Sequence, residues 1–172
     1  MAPTQAEAVA TLMKGHAKLD ALLHRLSDEE MERPATIGGG DWSARDLLAH
    51  VAYWEELALE AAAQWLAGEV PAIETVFREK RVDQVNAANQ ERSSAQSPAE
   101  VRERALAAHA ALVTLVRDMP EAEWLARPAY KAERRERLGT MLGAITGAPK
   151  LPFGHVFAHL PDLEEYVTTL GY

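Results

Sequence analysis

The chain has 172 residues and a mass of 18.9 kDa, the size of one domain, so we predict a single domain over residues 1–172. Its 18 lysines and arginines stand against 26 aspartates and glutamates, and the resulting net charge of −8 argues against nucleic-acid binding. The absence of cysteine excludes disulfides, zinc–thiolate sites, iron–sulfur clusters and a cysteine nucleophile.

Targeting and membrane-spanning segments are not expected. The first ten residues (MAPTQAEAVA) have neither a basic region nor a long apolar stretch, so they do not resemble a secretory signal. The longest weakly polar run, residues 57–66, is far shorter than the roughly 20 residues that span a bilayer. Since no cysteine would profit from an oxidising compartment, we expect a cytoplasmic protein without a membrane partner.

Apolar residues recur at helical spacing along the chain, which predicts an all-α fold. Ser43 and Ser97 each begin a helix, because each is followed three residues later by an acidic residue that completes a capping box. In chain order, the predicted helices cover residues 6–31, 43–67, 74–91, 97–118, 121–124, 138–145 and 153–170.

Four of these helices are long and amphipathic, and a long connection separates the second of them from the third. This arrangement predicts a four-helix bundle with a crossover between helices 2 and 3. The only segment considered for β pairing is residues 127–137.

Among the six histidines, His155 and His159 form the most informative pair. Their i, i+4 spacing on the last helix places both imidazoles on one face, where they can converge on one metal ion. His50 lies at the edge of the apolar stripe of the second helix and can face the last helix. A core histidine that bonds a backbone carbonyl is the alternative interpretation of His50.

Other histidines and tryptophans are assigned structural roles. Trp54 and Trp65 are expected to anchor the core or a dimer interface. His109 is expected to be a structural residue of the third main helix. The alternative is that its side chain points into the central crevice of the bundle. His16 and His24 are expected to be ordinary residues of the first helix.

Two segments carry a resemblance to a known family. Residues 42–55 (WSARDLLAHVAYWE) resemble the second-helix signature of the DinB/YfiT-like superfamily: a Trp-Ser start, an aspartate, an apolar pair, a histidine and then Trp-Glu. Residues 153–161 (FGHVFAHLP) are similar to its closing His-x-x-x-His segment. Residues 82–103 and 138–142 resemble the ClbS/DfsB-like branch, so the similarity covers nearly the whole chain in order.

The resemblance implies a divalent metal held by His50, His155 and His159 in the crevice of a four-helix bundle. Some members of the superfamily are transferases or isomerases that use low-molecular-weight thiols such as mycothiol or bacillithiol. Others, in the ClbS-like branch, protect against a genotoxin by hydrolysing its cyclopropane. Tyr53 and Glu55, which follow the signature histidine, are expected on the surface or behind the metal ligands, with a general base or a hydrogen-bonding partner as the alternative.

Three neutral imidazoles leave a metal ion an open position, as in catalytic sites. Zinc and nickel suit imidazole ligands best, and iron or manganese is also compatible. Such an ion would activate a water or a thiol cosubstrate, so we predict a hydrolase or thiol transferase that acts on a small molecule. A non-catalytic small-molecule binding protein and a structural homodimer are the alternatives. Beyond the three ligands, the sequence identifies no catalytic residue.

A homodimer is expected from the resemblance and from apolar residues in excess of those that one bundle seam needs. Trp65, Leu66 and Ile73 are the residues in question. An interface between two copies of the chain would cover them.

Two prolines, Pro149 and Pro152, precede the last helix and predict a loop or helix break over residues 147–154. We expect this segment to lie at the mouth of the crevice and to control access to the metal. Phe153 is then expected to start the last helix as an apolar lid.

Overall fold

The computed structural model describes residues 3–38, 40–130 and 136–172, and these residues form nine helices. They contain no strand, only isolated bridges between Ile37 and Trp42 and between Ala148 and Leu151, so the all-α prediction is confirmed. Residues 131–135 of the segment considered for β pairing lie outside the described residues. The helices are α1 (Gln5–Leu23), α2 (Asp28–Glu32), α3 (Ala44–Leu66), α4 (Ala72–Arg78), α5 (Val82–Ser93), α6 (Pro98–Asp118), α7 (Glu121–Trp124), α8 (Leu138–Ile145) and α9 (His155–Thr169).

Local capping sets the starts of the two longest helices, α3 and α6. The Ser43 hydroxyl accepts the backbone N–H of Asp46 at 3.1 Å, and the Asp46 carboxylate accepts the backbone N–H of Ser43 at 3.0 Å. Ser97 and Glu100 make the same reciprocal pair at the start of α6. Each cap satisfies amides that would otherwise lack partners, so both helices begin where the sequence predicts.

The helix predicted over residues 6–31 is in fact two helices. α1 ends at Leu23, and Ser27 starts α2 with a capping box of its own, in which it pairs with Glu30. The new cap satisfies the first amides of α2, so the chain can turn without leaving them unbonded.

The helix predicted over residues 74–91 is also divided, into α4 and α5. Between them Lys80 has a φ of 54°, in the left-handed region. A residue in that conformation cannot continue a right-handed helix, and a β-carbon makes the region costly. The segment between α3 and α6 therefore contains two helices in place of the single predicted one.

Two hydrophobic clusters form the core, and α3 contributes to both. Residues Leu47 and Val51 belong to the first cluster, together with residues of α1, α6 and α9. Trp54 and Ala58 belong to the second cluster, which includes residues of α6, α8 and Trp124. α3 packs against α5, α6, α8 and α9, so the segment from His50 to Glu55 lies in the middle of the fold.

The break before α9 is confirmed, because α8 ends at Ile145 and α9 begins at His155. The lid assigned to Phe153 is wrong. Its side chain is only 2% exposed and its ring stacks on Trp124 at a centroid distance of 5.8 Å. The backbone of Phe153 has a φ of 60°, and its N–H donates to the carbonyl of Gly143 at 3.1 Å. Phe153 is therefore part of the second hydrophobic cluster and not a surface flap.

A transmembrane helix is not found among residues 3–38, 40–130 and 136–172. None of the helices formed there combines the length and the apolar composition needed to cross a bilayer.

Candidate metal centre

Two helices supply the three histidines of the candidate site. His50 projects from the middle of α3, whereas His155 is the first residue of α9 and His159 follows one turn later. The backbone N–H of His155 donates to the carbonyl of Thr146 at 2.9 Å, which ties the start of α9 to the end of α8. The i, i+4 spacing then directs both α9 rings toward α3.

The ring nitrogens of the three histidines converge. Nε2 of His155 lies 3.0 Å from Nε2 of His50 and 3.1 Å from Nε2 of His159. One nitrogen from each ring can be chosen so that all three lie within 4.8 Å of one another. Zinc–nitrogen bonds of about 2.0–2.1 Å at angles between octahedral and tetrahedral values separate two ligand nitrogens by roughly 2.8–3.4 Å. The three histidines could therefore hold a metal ion.

Burial keeps these imidazoles neutral. It lowers the pKa of His50 to about 2, and the neighbouring His155 and His159 lower it further through charge repulsion. Burial likewise lowers the pKa of His155 to about 3, with a contribution from His159. Burial also lowers the pKa of His159, although the nearby Asp162 acts in the opposite direction. Metal ions bind neutral imidazole, so the site has the protonation state that a metal needs at neutral pH.

The metal-free protein is expected to lose stability as the pH falls below 6.5, the ordinary pKa of histidine. His50 and His155 have lower pKa values in the folded protein, so the unfolded chain binds more protons there. Linkage gives a loss of about 1–2 kcal/mol for each such histidine between about pH 6.5 and about pH 5. Urea unfolding of chelator-treated protein at both pH values measures this loss of unfolding free energy. A His50→Gln variant with the same pH dependence as the unchanged protein would contradict the assignment to this site.

The rings of Trp42 and Trp54 lie beside the three histidines. The ring of Trp42 lies 4.9 Å from that of His50, and the ring of Trp54 lies 6.0 Å from that of His155. Trp54 is 5% exposed, as expected of a core residue, but it also borders the candidate site.

Both indoles are hydrogen-bonded to the polar helix α5. The Trp42 N–H donates to Oε1 of Gln90 at 3.1 Å, and the Trp54 N–H donates to Oδ1 of Asn86 at 3.0 Å. Sequence reasoning did not find this role, because α5 has no apolar periodicity to orient it. Asn86 and Gln90 stand at spacing i, i+4, and this spacing is the sequence signal that could have indicated a shared face of α5.

A second polar cluster lies within the bundle. Glu55 is 3% exposed, and Nδ1 of His109 lies 3.1 Å from its Oε1. The ring of His16 stacks on that of His109 at 3.9 Å and 19°. Of the two locations expected for Glu55, the surface is therefore excluded, and the expectation that His16 is an ordinary face residue is wrong. His24, by contrast, is exposed as expected.

The electrostatics of this cluster follow from burial. Burial raises the pKa of Glu55, while the hydrogen bond and charge of His109 oppose that rise. Burial also lowers the pKa of His16 to about 4, and the nearby His109 adds to the effect. The burial of Glu55 could have been predicted from its position in the sequence. Glu55 follows Val51 by four residues and precedes Ala58 by three, so it lies on the apolar stripe of α3.

Comparisons with known proteins agree with this architecture. A crystal structure of an uncharacterised protein from Escherichia coli UTI89 has a similar fold, with a TM-score of 0.80 and 19% sequence identity over 99% of this chain and 96% of that chain. No curated protein matches the chain. The sequence profile of the DinB superfamily matches residues 11–160, a span that includes all three converging histidines, whereas assignment to the ClbS/DfsB-like branch stays a prediction. The chain belongs to the DinB superfamily.

Proposed function

We propose that the protein is a metal-dependent enzyme that binds one divalent ion through His50, His155 and His159. The observation that carries the proposal is the convergence of their ring nitrogens, with Nε2 of His155 at 3.0 Å and 3.1 Å from the other two. An ion held by these three neutral imidazoles would keep its full charge and would supply Lewis acidity to a water or a thiol.

The donor set favours particular metals. Three imidazoles suit zinc and nickel, and iron and manganese remain compatible with the same set. The chain sets the position and the protonation state of the three imidazoles. Helix α9 fixes the spacing of two rings, and burial keeps all three rings neutral.

The reaction that we propose is either hydrolysis of a small molecule or transfer of a low-molecular-weight thiol to it. The chain contains no cysteine, so a thiol nucleophile would have to arrive as a cosubstrate. Trp42 and Trp54 support an organic substrate, since their apolar rings border His50 and His155. A protective hydrolase of a reactive electrophile, as in the ClbS-like branch, is one form of this proposal, and non-catalytic sequestration is its alternative.

Metal analysis tests the proposal first. Purified protein incubated with Zn²⁺ or Ni²⁺ and then desalted is expected to retain about one ion per chain, and the His50→Ala variant to retain none. His24→Ala is the matched control, because His24 is an exposed histidine outside the site. No retained metal in the unchanged protein would overturn the proposal.

Turnover of reactive electrophiles then separates the reaction types. Metal-loaded protein is assayed with and without an added low-molecular-weight thiol. Product that forms only with the thiol indicates transfer, and product that forms without it indicates hydrolysis. Binding of the electrophile without turnover in either assay would favour the sequestering alternative.

A homodimer is the proposed assembly. Two of the three residues expected at its interface, Trp65 and Ile73, are instead buried within one chain, where they are only 6% and 3% exposed. Leu66, Val70 and Phe77 are 48%, 52% and 40% exposed, and these apolar side chains now support the proposal. Light scattering is expected to give about twice 18.9 kDa, and a Val70→Asp variant to give the monomer mass. A mass of 18.9 kDa for the unchanged protein at micromolar concentration would contradict it.

A further inference from the structure

A small cavity lies between the second polar cluster and the candidate metal centre. Its volume is about 10 Å³, which is room for about one water molecule. Three polar residues, Glu55, Thr146 and His155, contribute to its lining. The other lining residues are apolar or glycine: Leu12, Gly15, Val51, Phe153 and Val156.

Two buried polar atoms of the lining residues need a partner. Oε2 of Glu55 and Nδ1 of His155 have no hydrogen-bond partner among the described residues. A buried polar group without a hydrogen bond costs about 1–3 kcal/mol, so a chain that folds stably is expected to satisfy both. A carboxylate oxygen accepts and a ring N–H donates, so one water in the cavity can serve both atoms.

Thr146 offers this water a third contact. Its hydroxyl donates to the carbonyl of Leu142 at 2.9 Å, which leaves the oxygen lone pairs available as acceptors. Buried waters in proteins make about three hydrogen bonds on average, so the polar lining of this cavity fits one.

We propose that Glu55 is a positioning residue for the metal centre, which holds the proton of His155 on Nδ1 through one ordered water. Nε2 of His155 then presents its lone pair toward His50 and His159. This inference rests on the proposed function for its effect on metal binding, whereas the position of the His155 proton is independent of any metal.

The contacts of His155 agree with this tautomer. Its Nε2 lies 3.0 Å from Nε2 of His50 and 3.1 Å from Nε2 of His159. A nitrogen carrying a proton donates one hydrogen bond and cannot accept another, whereas an unprotonated Nε2 can face two donors or a metal. A proton on Nδ1 therefore suits both contacts.

The second polar cluster fixes the carboxylate that receives this water. Oε1 of Glu55 is 3.1 Å from Nδ1 of His109, so only Oε2 remains for the cavity. The ring of His109 is itself held by stacking on His16 at 3.9 Å. Residues of α1, α3 and α6 thus orient one oxygen toward a residue of α9.

Glu55→Leu tests the proposal, because leucine fills similar space without either oxygen. Nitrogen NMR of the imidazole rings in the metal-free protein is expected to show His155 protonated on Nδ1 in the unchanged protein. In the Glu55→Leu protein a substantial Nε2-protonated fraction is expected. Affinity for Zn²⁺ is expected to fall by about 10–100-fold, the usual effect of removing a group that orients a metal ligand.

Two further variants keep the test decisive. Glu55→Gln retains one acceptor oxygen, which can serve His109 or the water but not both, so it should give a smaller shift if Glu55→Leu does not fold. Glu60→Gln is the matched control, an exposed glutamate on the same helix, and it should leave both readouts unchanged.

Different results would contradict the positioning role of Glu55 and the proposed metal-dependent function. Unchanged His155 protonation and unchanged Zn²⁺ affinity in the folded Glu55 variants would overturn the positioning role while the metal centre stands. A shift of the His155 proton in a protein that binds no Zn²⁺ would support the positioning role and overturn the proposed function.

Discussion

Replacement of His155 by alanine is expected to lower the affinity for Zn²⁺ by roughly two to three orders of magnitude, about 3–4 kcal/mol for one ligand of a site. His155 is the central member of the three histidines, because its Nε2 lies within 3.1 Å of the ring nitrogens of both others. Without this ring, His50 and His159 retain only each other. Two imidazoles from different helices are a poorer site than three.

The fold should survive the His155→Ala change. The bond between His155 and Thr146 is made by the backbone N–H, which alanine keeps, and alanine is a good helix former at the start of α9. Calorimetric titration with Zn²⁺, with circular dichroism as a check of folding, measures the effect. His24→Ala serves again as the exposed control. A His155→Ala protein that binds Zn²⁺ within about threefold of the unchanged protein would exclude His155 as a ligand.

Phe153→Ala is expected to cost about 3–5 kcal/mol of unfolding free energy, as for other buried phenylalanines. The side chain is 2% exposed, stacks on Trp124 and packs against Gly143, where an added β-carbon would lie 2.9 Å from the phenyl ring. Truncation leaves a cavity between α8 and the chain that leads into α9. The loss of stability should therefore exceed any change in access to the histidines.

Urea unfolding of the Phe153→Ala protein and of the unchanged protein tests this expectation. Leu151→Ala is the matched control from the same loop, because Leu151 is 40% exposed and its truncation should cost about 1 kcal/mol or less. An unfolding free energy of Phe153→Ala within about 1 kcal/mol of the unchanged protein would contradict the core role assigned to Phe153.

Local sequence signals predicted the features that depend on neighbours in the chain. The starts of α3 and α6 were predicted because a serine and an acidic residue three positions later bond each other wherever the helix lies. The pairing of His155 with His159 follows from helix geometry in the same way. Local spacing does not identify His50 as the third ligand. Its place beside the apolar stripe of its helix and the resemblance of residues 42–55 to a family signature pointed to it.

The divisions of two predicted helices were missed for a different reason. At Ser27 a local signal is present, because Glu30 three positions later completes a capping box of the kind that marks Ser43 and Ser97, but the apolar periodicity of residues 6–31 runs through it. At Lys80 no side-chain cap marks the turn, so periodicity does not reveal it. Lys80 adopts its positive φ at this turn despite the local cost.

By itself the sequence determined the all-α class, the capped helix starts and the i, i+4 pair, since each rests on contacts within a few residues. Tertiary structure decided the rest of the site. Residues of α3 and α9 bring His50 to within hydrogen-bonding distance of His155, and α1 and α6 place His16 and His109 beside Glu55. Contacts between residues that are distant in the chain depend on how whole helices pack, and no local spacing encodes them.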